Sequence, residues 1–165
     1  MATSEKNLSS FDLKDIPNAG HMRMAIVVAE WNKSITDNLL NGARNTLLEA
    51  GITESNLLVY RVPGSFELPL GAQWVIENKA VDAVVVLGSV IQGETRHFEF
   101  VCNSVAQGVQ DLNLKHSKPV IFGVLTDDTK QQAIDRSGGK HGNKGIDCAV
   151  AAIQMVALRE SVGEN

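Results

Sequence analysis

The sequence predicts an α/β protein, a three-layer α/β/α sandwich with a central four-stranded parallel sheet. Four short apolar runs rich in β-branched residues recur along the chain, with the length expected for strands covered on both faces. A polar turn follows each run, and apolar residues at helical spacing come after it. Alternating strands and helices of this kind form a parallel sheet with helices on both faces.

Composition indicates one domain with its own hydrophobic core. The chain has 165 residues, of which 44% are apolar, and a formal net charge of −4. That charge argues against nucleic acid or an anionic membrane as the main partner. No apolar run approaches the roughly 20 residues that span a bilayer, and the polar start does not resemble a secretory signal. We expect a cytoplasmic protein with an N-terminal arm over residues 1–20 and a single domain over residues 21–165.

The first half of the chain contains two strand–helix units. The compact apolar run Met24–Ala29 predicts the first strand, and Leu57–Val62 predicts the second. Apolar residues at helical spacing from position 35 to position 50 predict the helix between them, which Gly51 ends. A second helix is expected over residues 67–79, where Pro69 is tolerated because it lies in the first turn.

Two polar segments of this half also favour particular structures. Phe11, Leu13 and Ile16 could pair as a short edge strand, or as an arm exchanged with a neighbouring subunit. Asn32 or Ser34 is available to cap the first helix.

The second half repeats the strand–helix pattern twice. Residues 83–87 and 119–125 predict the third and fourth strands. Apolar residues at helical spacing from position 98 to position 112 predict the helix after the third strand, with Thr95 as its cap. A short helix over residues 129–137 ends at a pair of glycines, and a basic bridge leads to a last helix over residues 146–160.

Neither a metal nor an organic cofactor is indicated. Cys102 and Cys148 fall on apolar helical faces without ligand-like spacing to histidine, so we expect buried, reduced thiols. Asp127 and Asp128 are candidate metal ligands, but no third acidic ligand accompanies them, and capping of the next helix is favoured. The chain contains neither a P-loop nor a GxGxxG fingerprint.

The turns after the strands are the expected place for a site, because ligands bind at the carboxyl ends of parallel strands. The turn Gly93-Glu94-Thr95 could hold an anion with its amides and the helix dipole, although such turns also begin many ordinary helices. His97 falls in the first helical turn, where the dipole favours a neutral imidazole that exchanges protons near neutral pH. Alone, such a histidine is more often a surface or hydrogen-bonded core residue.

Other turn residues admit both a structural and a functional interpretation. Trp31 and Phe66 could pack over their turns or stack on a planar heterocycle. Glu67 could complement a helix dipole or accept hydrogen bonds from the NH groups of a ligand. A basic cluster could be a solvated loop or an anion clamp, and its members are Arg136, Lys140, His141 and Lys144. Taken together, these features predict a flat polar ring and a phosphate held near a proton-transferring histidine.

Four motifs resemble those of the 6,7-dimethyl-8-ribityllumazine synthase family, transferases of riboflavin biosynthesis with a flavodoxin-like fold. The resemblance covers residues 23–158, and its motifs are Trp31-Asn32, Pro63-Gly64-Ser65-Phe66-Glu67, Gly93-Glu94-Thr95-Arg96-His97-Phe98 and Gly142-Asn143-Lys144-Gly145. It implies condensation of 5-amino-6-ribitylaminouracil with 3,4-dihydroxy-2-butanone 4-phosphate to 6,7-dimethyl-8-ribityllumazine, with release of phosphate and water. It implies no metal or organic cofactor.

For the pyrimidine substrate, the resemblance implies contacts from three turns. Trp31 would stack on the ring, and the backbones of Val90 and Ile91 would present polar groups to it. The ribityl chain and nearby polar groups would meet three residues of the second turn, Ser65, Phe66 and Glu67.

For the phosphate substrate, the resemblance implies residues of two subunits. The phosphate pocket would be lined by Gly93, Glu94 and Thr95, and His97 would transfer protons. The carboxylate of Glu94 must then point away from the phosphate or pair with a cation such as Arg96. Three residues would come from the adjacent subunit, and they are Phe122, Arg136 and Lys144. Of these three, Arg136 would bind the phosphate.

The resemblance also implies a homo-oligomer, at least a pentamer. Some members of the family assemble twelve pentamers into a 60-subunit icosahedral capsid, with which riboflavin synthase can associate, and the short segment 138–145 favours such a shell. A non-catalytic flavin- or cargo-binding shell protein is an alternative that could dispense with His97 or Arg136, both of which this chain keeps. A receiver-type module would need an acidic pair after the first strand and a phosphoacceptor after the third, which Ala29-Glu30 and Leu87-Gly88-Ser89 do not supply.

Overall fold

The computed structural model describes residues 16–163, and within that range a parallel sheet forms the middle layer. Its strands are β1 (Met24–Ala29), β2 (Leu57–Val62), β3 (Ala83–Ile91) and β4 (Val120–Asp127), in the spatial order β2-β1-β3-β4. The helices are α1 (Lys33–Glu49), α2 (Leu68–Asn78), α3 (His97–His116), α4 (Lys130–Arg136) and α5 (Lys144–Gly163). All three strand pairings are parallel, so the predicted fold class is confirmed.

Apolar side chains cover the sheet on both faces, which explains the unbroken apolar runs. On one face α1 and α5 pack over a core that includes Leu87 and Ile153, both fully buried. On the other face α2 and α3 pack over a core that includes Val86 and Val105, also fully buried. Leu87 and Val86 point to opposite faces because side chains alternate along a strand. Each such side chain contributes roughly 1.5–3 kcal/mol through its burial.

The strands β3 and β4 extend further than predicted. Residues 88–91 continue β3 and residues 126–127 continue β4, and the two extensions pair with each other up to Ile91 and Asp127. Gly88 permits the close packing of this extension, because a Cβ at that position would lie 2.6 Å from the Oγ of Ser65. Polar and glycine residues that the sequence suggested were loops are therefore held on rigid strand ends.

The N-caps of α1 and α3 agree with the sequence prediction only in part. Asn32 is the N-cap of α1 and adopts a left-handed conformation with φ of 57°, but its side chain donates a hydrogen bond to the carbonyl of Ser89 instead of capping. Arg96 is the N-cap of α3, one residue after the predicted Thr95. The hydroxyl of Thr95 accepts a hydrogen bond from the amide of His97 at 3.4 Å.

The predicted capping of α4 by Asp127 or Asp128 was wrong. A capping box begins this helix, in which the Thr129 hydroxyl accepts from the Gln132 amide and the Gln132 side chain accepts from the Thr129 amide. Asp127 is instead the last residue of β4.

The predicted bridge before α5 is a short antiparallel hairpin, formed by β5 (Ser137–Gly139) and β6 (Gly142–Asn143). Gly138 and Gly142 have φ of 117° and 79° within it, a conformation that favours glycine. The following helix, α5, starts at Lys144, two residues before its predicted start.

Two further expectations concern the N-terminal arm and the cysteines. The edge strand suggested for Phe11 and Leu13 lies outside the described residues, whereas Ile16 packs partly buried against the core under α1 and α5. Cys148 is buried and Cys102 half-buried, and both thiols are free. Burial raises the pKa of Cys148 to about 12 and also raises the pKa of Cys102, so both are protonated at neutral pH. Among the helices of residues 16–163, none has the length and apolarity to cross a membrane.

Candidate active site

An open cavity of about 680 Å³ lies at the carboxyl ends of β1 and β3. The turns after β1, β2 and β3 and the first turns of α3 enclose it, so it occupies the edge at which parallel sheets bind ligands. Its volume is typical of a small-molecule site. Nine of the predicted site residues line it: Trp31, Ser65, Phe66, Glu67, Val90, Ile91, Gly93, Thr95 and His97.

Hydrogen bonds to both neighbouring strand ends hold the turn after β1. The amide of Trp31 donates to the carbonyl of Pro63 at 3.1 Å, and the side chain of Asn32 donates to the carbonyl of Ser89 at 3.0 Å. The indole itself is 71% exposed at the cavity. A large aromatic face held in this way is available to stack on a flat ring.

The turn after β2 contributes Ser65, Phe66 and Glu67 to the wall of the cavity. Residues Ser65–Glu67 form one 3₁₀ turn there, which exposes the side chains of Phe66 and Glu67. Ser65 is buried, and its Oγ has no hydrogen-bond partner among the described residues. A buried hydroxyl left without a partner costs about 1–3 kcal/mol, so a ligand that bonded to Ser65 would remove this cost.

His97 lies at the first position of α3 with an exposed imidazole at the cavity. Within residues 16–163 its backbone amide is bonded to Thr95, and its ring makes no hydrogen bond. The ring is therefore free to bond to a reacting group.

Glu94 does not line the cavity, although Gly93 and Thr95 on either side of it do. Its side chain is exposed, and Arg96 pairs with Glu99 at 3.0 Å instead. Of the two predicted alternatives for Glu94, the structure favours the one in which the carboxylate points away.

Six further residues of the cavity were not assigned a binding role from the sequence. They are Asn32, Gly64, Ser89, Phe98, Phe100 and Val101. The position of Phe98 on the apolar helical face suggested a core residue, and Ser89 was placed in a loop. The 66% exposure of Phe100 marks it as a surface aromatic, a property that periodicity alone does not reveal.

No lysine or arginine occurs among the described residues that line the cavity. Glu67 contributes a carboxylate to its wall, so the charged side chains there do not favour an anion. A phosphate bound in this cavity would need a cation from elsewhere.

Phe122, Arg136 and Lys144 do not line the cavity. Phe122 lies in the middle of β4 with 37% of its surface exposed, Arg136 ends α4, and Lys144 begins α5. The three are thus separate from the nine residues around the cavity.

Each cation of the basic cluster, other than His141, lies beside a carboxylate. Lys144 Nζ is 2.9 Å from Asp147, and Lys140 Nζ is 3.1 Å from Asp135. Hydrogen bonds from Gln131 and Lys140 lower the pKa of Asp135. Arg136 Nε is 3.9 Å from Asp127 Oδ1, too far for a hydrogen bond.

Asp127 and Asp135 are both buried, with 7% and 8% of their surfaces exposed, but their pKa values shift in opposite directions. Burial raises the pKa of the Asp127 carboxyl, and this effect exceeds the opposing attraction of Arg136; the neighbouring charge of Asp128 raises the pKa further. Asp127 Oδ2 has no hydrogen-bond partner among the described residues.

A parallel α/β sheet whose carboxyl edge holds aromatic rings, an unpaired buried hydroxyl and a histidine defines a small-molecule enzyme of the flavodoxin-like class. Residues 21–160 match the family model of 6,7-dimethyl-8-ribityllumazine synthase. The chain belongs to the 6,7-dimethyl-8-ribityllumazine synthase family.

Curated relatives agree with this family over nearly the whole chain. The 6,7-dimethyl-8-ribityllumazine synthase of Cytophaga hutchinsonii is 56% identical, over 95% of this chain and 98% of the relative. The synthase of Parabacteroides distasonis is 54% identical, over 94% and 98% of the two chains. The synthase of Flavobacterium johnsoniae is 53% identical, over 97% of this chain and 84% of its own.

Proposed function

We propose that this chain is a transferase that condenses 5-amino-6-ribitylaminouracil with 3,4-dihydroxy-2-butanone 4-phosphate. The product is 6,7-dimethyl-8-ribityllumazine, and phosphate and water are released. Family membership over residues 21–160 supports this step of riboflavin biosynthesis. The observation that carries the location is the convergence of nine predicted site residues on one cavity. The relatives are named as synthases, so the non-catalytic shell protein gains no support from them.

The pyrimidine substrate is assigned to the aromatic part of the cavity. Trp31 stacks on its ring, and the backbones of Val90 and Ile91 supply donors and acceptors at the rigid end of β3. The ribityl chain, which is rich in hydroxyls, bonds to the Oγ of Ser65 and to the carboxylate of Glu67. Phe66 covers the chain from the solvent side.

His97 is assigned to proton transfer at the mouth of the same cavity. The amine of the pyrimidine attacks the ketone of the sugar phosphate, water leaves, and an imine forms. Proton transfer then precedes loss of phosphate and closure of the second ring. An exposed imidazole that accepts and returns a proton suits these steps, and such help is worth typically ~10²–10⁴-fold. Holding two substrates in reactive geometry supplies much of the remaining acceleration.

The phosphate is assigned to Gly93, Glu94 and Thr95 of one copy, with Arg136 of a second copy. Glu94 contributes its backbone, because its side chain is exposed outside the cavity. The second copy is needed because no described cavity residue carries a positive charge, while Arg136 has an exposed guanidinium elsewhere on the molecule. Arg136 binds the phosphate and stabilises its charge as it leaves. Phe122 and Lys144 come from the same second copy.

A homopentamer is the smallest closed assembly that we propose. Large apolar side chains are exposed outside the cavity, as expected of a surface that other copies cover, and they include Trp74, Leu114 and Leu158. The short hairpin β5–β6 supports further assembly into a 60-subunit icosahedral capsid, with which riboflavin synthase could associate. We also propose a cytoplasmic location, as the sequence suggested.

The direct test mixes the purified protein with both substrates and follows the lumazine product by its absorbance. We expect product formation well above the uncatalysed rate. Product formation at the uncatalysed rate would contradict the proposed reaction. Light scattering on the same sample measures whether the assembly is a pentamer or a shell.

A further inference from the structure

A buried carboxylate lies next to the arginine assigned to the phosphate. Asp127 ends β4 and pairs with Ile91 at the end of β3, and its carbonyl accepts a hydrogen bond from the amide of Gln92 at 2.9 Å. Its side chain is 8% exposed, and Oδ1 lies 3.9 Å from Nε of Arg136. The sheet therefore fixes a carboxylate beside the guanidinium without a direct hydrogen bond between the two groups.

This carboxylate does not contribute to the fold in the way a structural ion pair would. Its Oδ2 is buried without a hydrogen-bond partner among the described residues. Its pKa is raised because the cost of burial exceeds the attraction of Arg136. Burying a charge costs free energy unless the charge is paired and hydrogen-bonded, so stability alone does not favour a carboxylate at this position. A charge retained at this cost is more readily explained by its effect on Arg136 than by stability.

Arg136 keeps most of its donors available despite this neighbour. Its side chain is 46% exposed, and its Nη1 contacts the carbonyl of Gln132 only at the 3.5 Å limit of a hydrogen bond. A guanidinium has five N–H donors, so it can bind an anion while it remains beside Asp127. An anion bound there experiences the attraction of Arg136 and the repulsion of Asp127 together.

We propose that Asp127 weakens the binding of inorganic phosphate at Arg136 and thereby speeds the release of this product. This inference rests on the proposed function. A phosphate on the guanidinium lies within several ångströms of a buried carboxylate, and burial limits solvent screening between them. The phosphate substrate experiences the same repulsion, but its carbon skeleton adds contacts in the cavity that free phosphate lacks, so the substrate still binds more tightly than the product. Asp127 is thus a charge-balancing residue and does not react.

Inorganic phosphate is the probe for this inference. On the assembled protein, its dissociation constant is measured by ³¹P NMR titration and its inhibition constant by competition with the phosphate substrate. For Asp127→Asn we expect both constants to fall roughly threefold to tenfold, the effect of removing one poorly screened charge. Asp127→Ser removes the charge with a smaller side chain and must shift both constants in the same direction.

Asp128→Asn is the matched control, since it makes the same charge change one residue later at an exposed side chain. Its effect should stay below about twofold because water screens the exposed charge. An unchanged or weaker phosphate affinity in Asp127→Asn would overturn the inference. An equal effect of Asp128→Asn would also overturn it, because the change would then reflect net charge alone.

Arg136→Ala separates this inference from the proposed function. If phosphate binds at Arg136, this variant loses most phosphate affinity, and adding Asp127→Asn to it has little further effect. Phosphate binding that persists in Arg136→Ala would contradict the proposed phosphate site itself. Loss of binding in Arg136→Ala combined with no effect of Asp127→Asn would contradict only the role of Asp127.

Discussion

The two parts of the proposed site are built in opposite ways. The cavity region, formed by the turns after β1, β2 and β3, gathers nine predicted residues in one chain and has no lysine or arginine in its described lining. The basic region, formed by α4, the β5–β6 hairpin and the start of α5, holds three cations that each lie beside a carboxylate. The cavity region has no lysine or arginine in its described lining, and the cations of the basic region do not line that cavity.

This difference shows why one copy would not suffice for the proposed reaction. The cavity region is preformed, because β3 holds Val90 and Ile91 and hydrogen bonds to Pro63 and Ser89 hold the first turn. In the basic region, the three cations and the neighbouring carboxylates balance each other's charges when no phosphate is bound. If the two regions of one site come from different copies, as we propose, assembly is a condition for a complete site.

Replacement of His97 should have the largest effect within the cavity region. We expect His97→Ala to lower kcat roughly 10²-fold or more without abolishing turnover, because positioning of the substrates remains. Steady-state assays with both substrates measure this, and His97→Gln tests whether a polar side chain without proton transfer suffices. A kcat equal to that of the unchanged protein would refute the assigned role.

Replacement of Arg136 tests the basic region in the same assay. We expect Arg136→Ala to raise KM for the phosphate substrate roughly tenfold to a hundredfold, which corresponds to the free energy of a charge-assisted hydrogen bond. KM for the pyrimidine should change less. Lys140→Ala is the matched control, a cation of the same region that is paired with Asp135 and has no assigned contact. Equal effects of the two variants would show that the region acts only through its total charge.

Replacement of Trp31 should have a smaller effect, confined to the other substrate. We expect Trp31→Ala to raise KM for the pyrimidine roughly threefold to tenfold, which corresponds to the free energy of one stacking contact. Trp31→Phe should restore part of the lost affinity for the pyrimidine. Trp74→Ala is the control, an exposed tryptophan on α2 outside the cavity. A loss that appeared only for the phosphate substrate would contradict the stacking assignment.

The smallest effect concerns stability and its pH dependence at Asp127. Burial raises the pKa of this carboxyl above its unfolded value, so its contribution to stability is greatest below the unfolded pKa and is lost as pH rises through the folded pKa. We therefore expect Asp127→Asn to raise Tm at pH 7 by about a few degrees at most, and by less at pH 4. Thermal unfolding at both pH values measures the difference, and a lower Tm at pH 7 would show that the pair with Arg136 stabilises the fold.

The sequence predicted the sheet and the cavity region well because both follow from local patterns. β1 and β2 have the predicted bounds, since compact apolar runs are buried in the sheet. The turn motifs then meet because the carboxyl ends of parallel strands share one edge. The extension of β3 was missed because Gly88 and Ser89 are typical of a loop, whereas here the glycine allows Ser65 to pack against the strand.

The electrostatics of the basic region could not be predicted from the sequence. Asp127 and Arg136 are nine positions apart, and their approach depends on how the capped helix α4 packs back on β4. The sequence suggested that Asp127 was a turn residue and a helix cap, so its burial at a strand end was unexpected. Pairing across elements requires the three-dimensional arrangement, which local periodicity does not supply.

Mixed assemblies test most directly the claim that two copies share one site. His97→Ala and Arg136→Ala subunits are each slow alone when the phosphate substrate is held well below its KM. The two variants are unfolded, mixed in equal amounts and reassembled together, and they are assayed under that condition. If His97 and Arg136 of one site come from different copies, roughly one quarter of the sites regain both residues by random placement. We predict activity near one quarter of that of the unchanged protein. Activity no higher than the mean of the two separately reassembled variants would contradict a shared site.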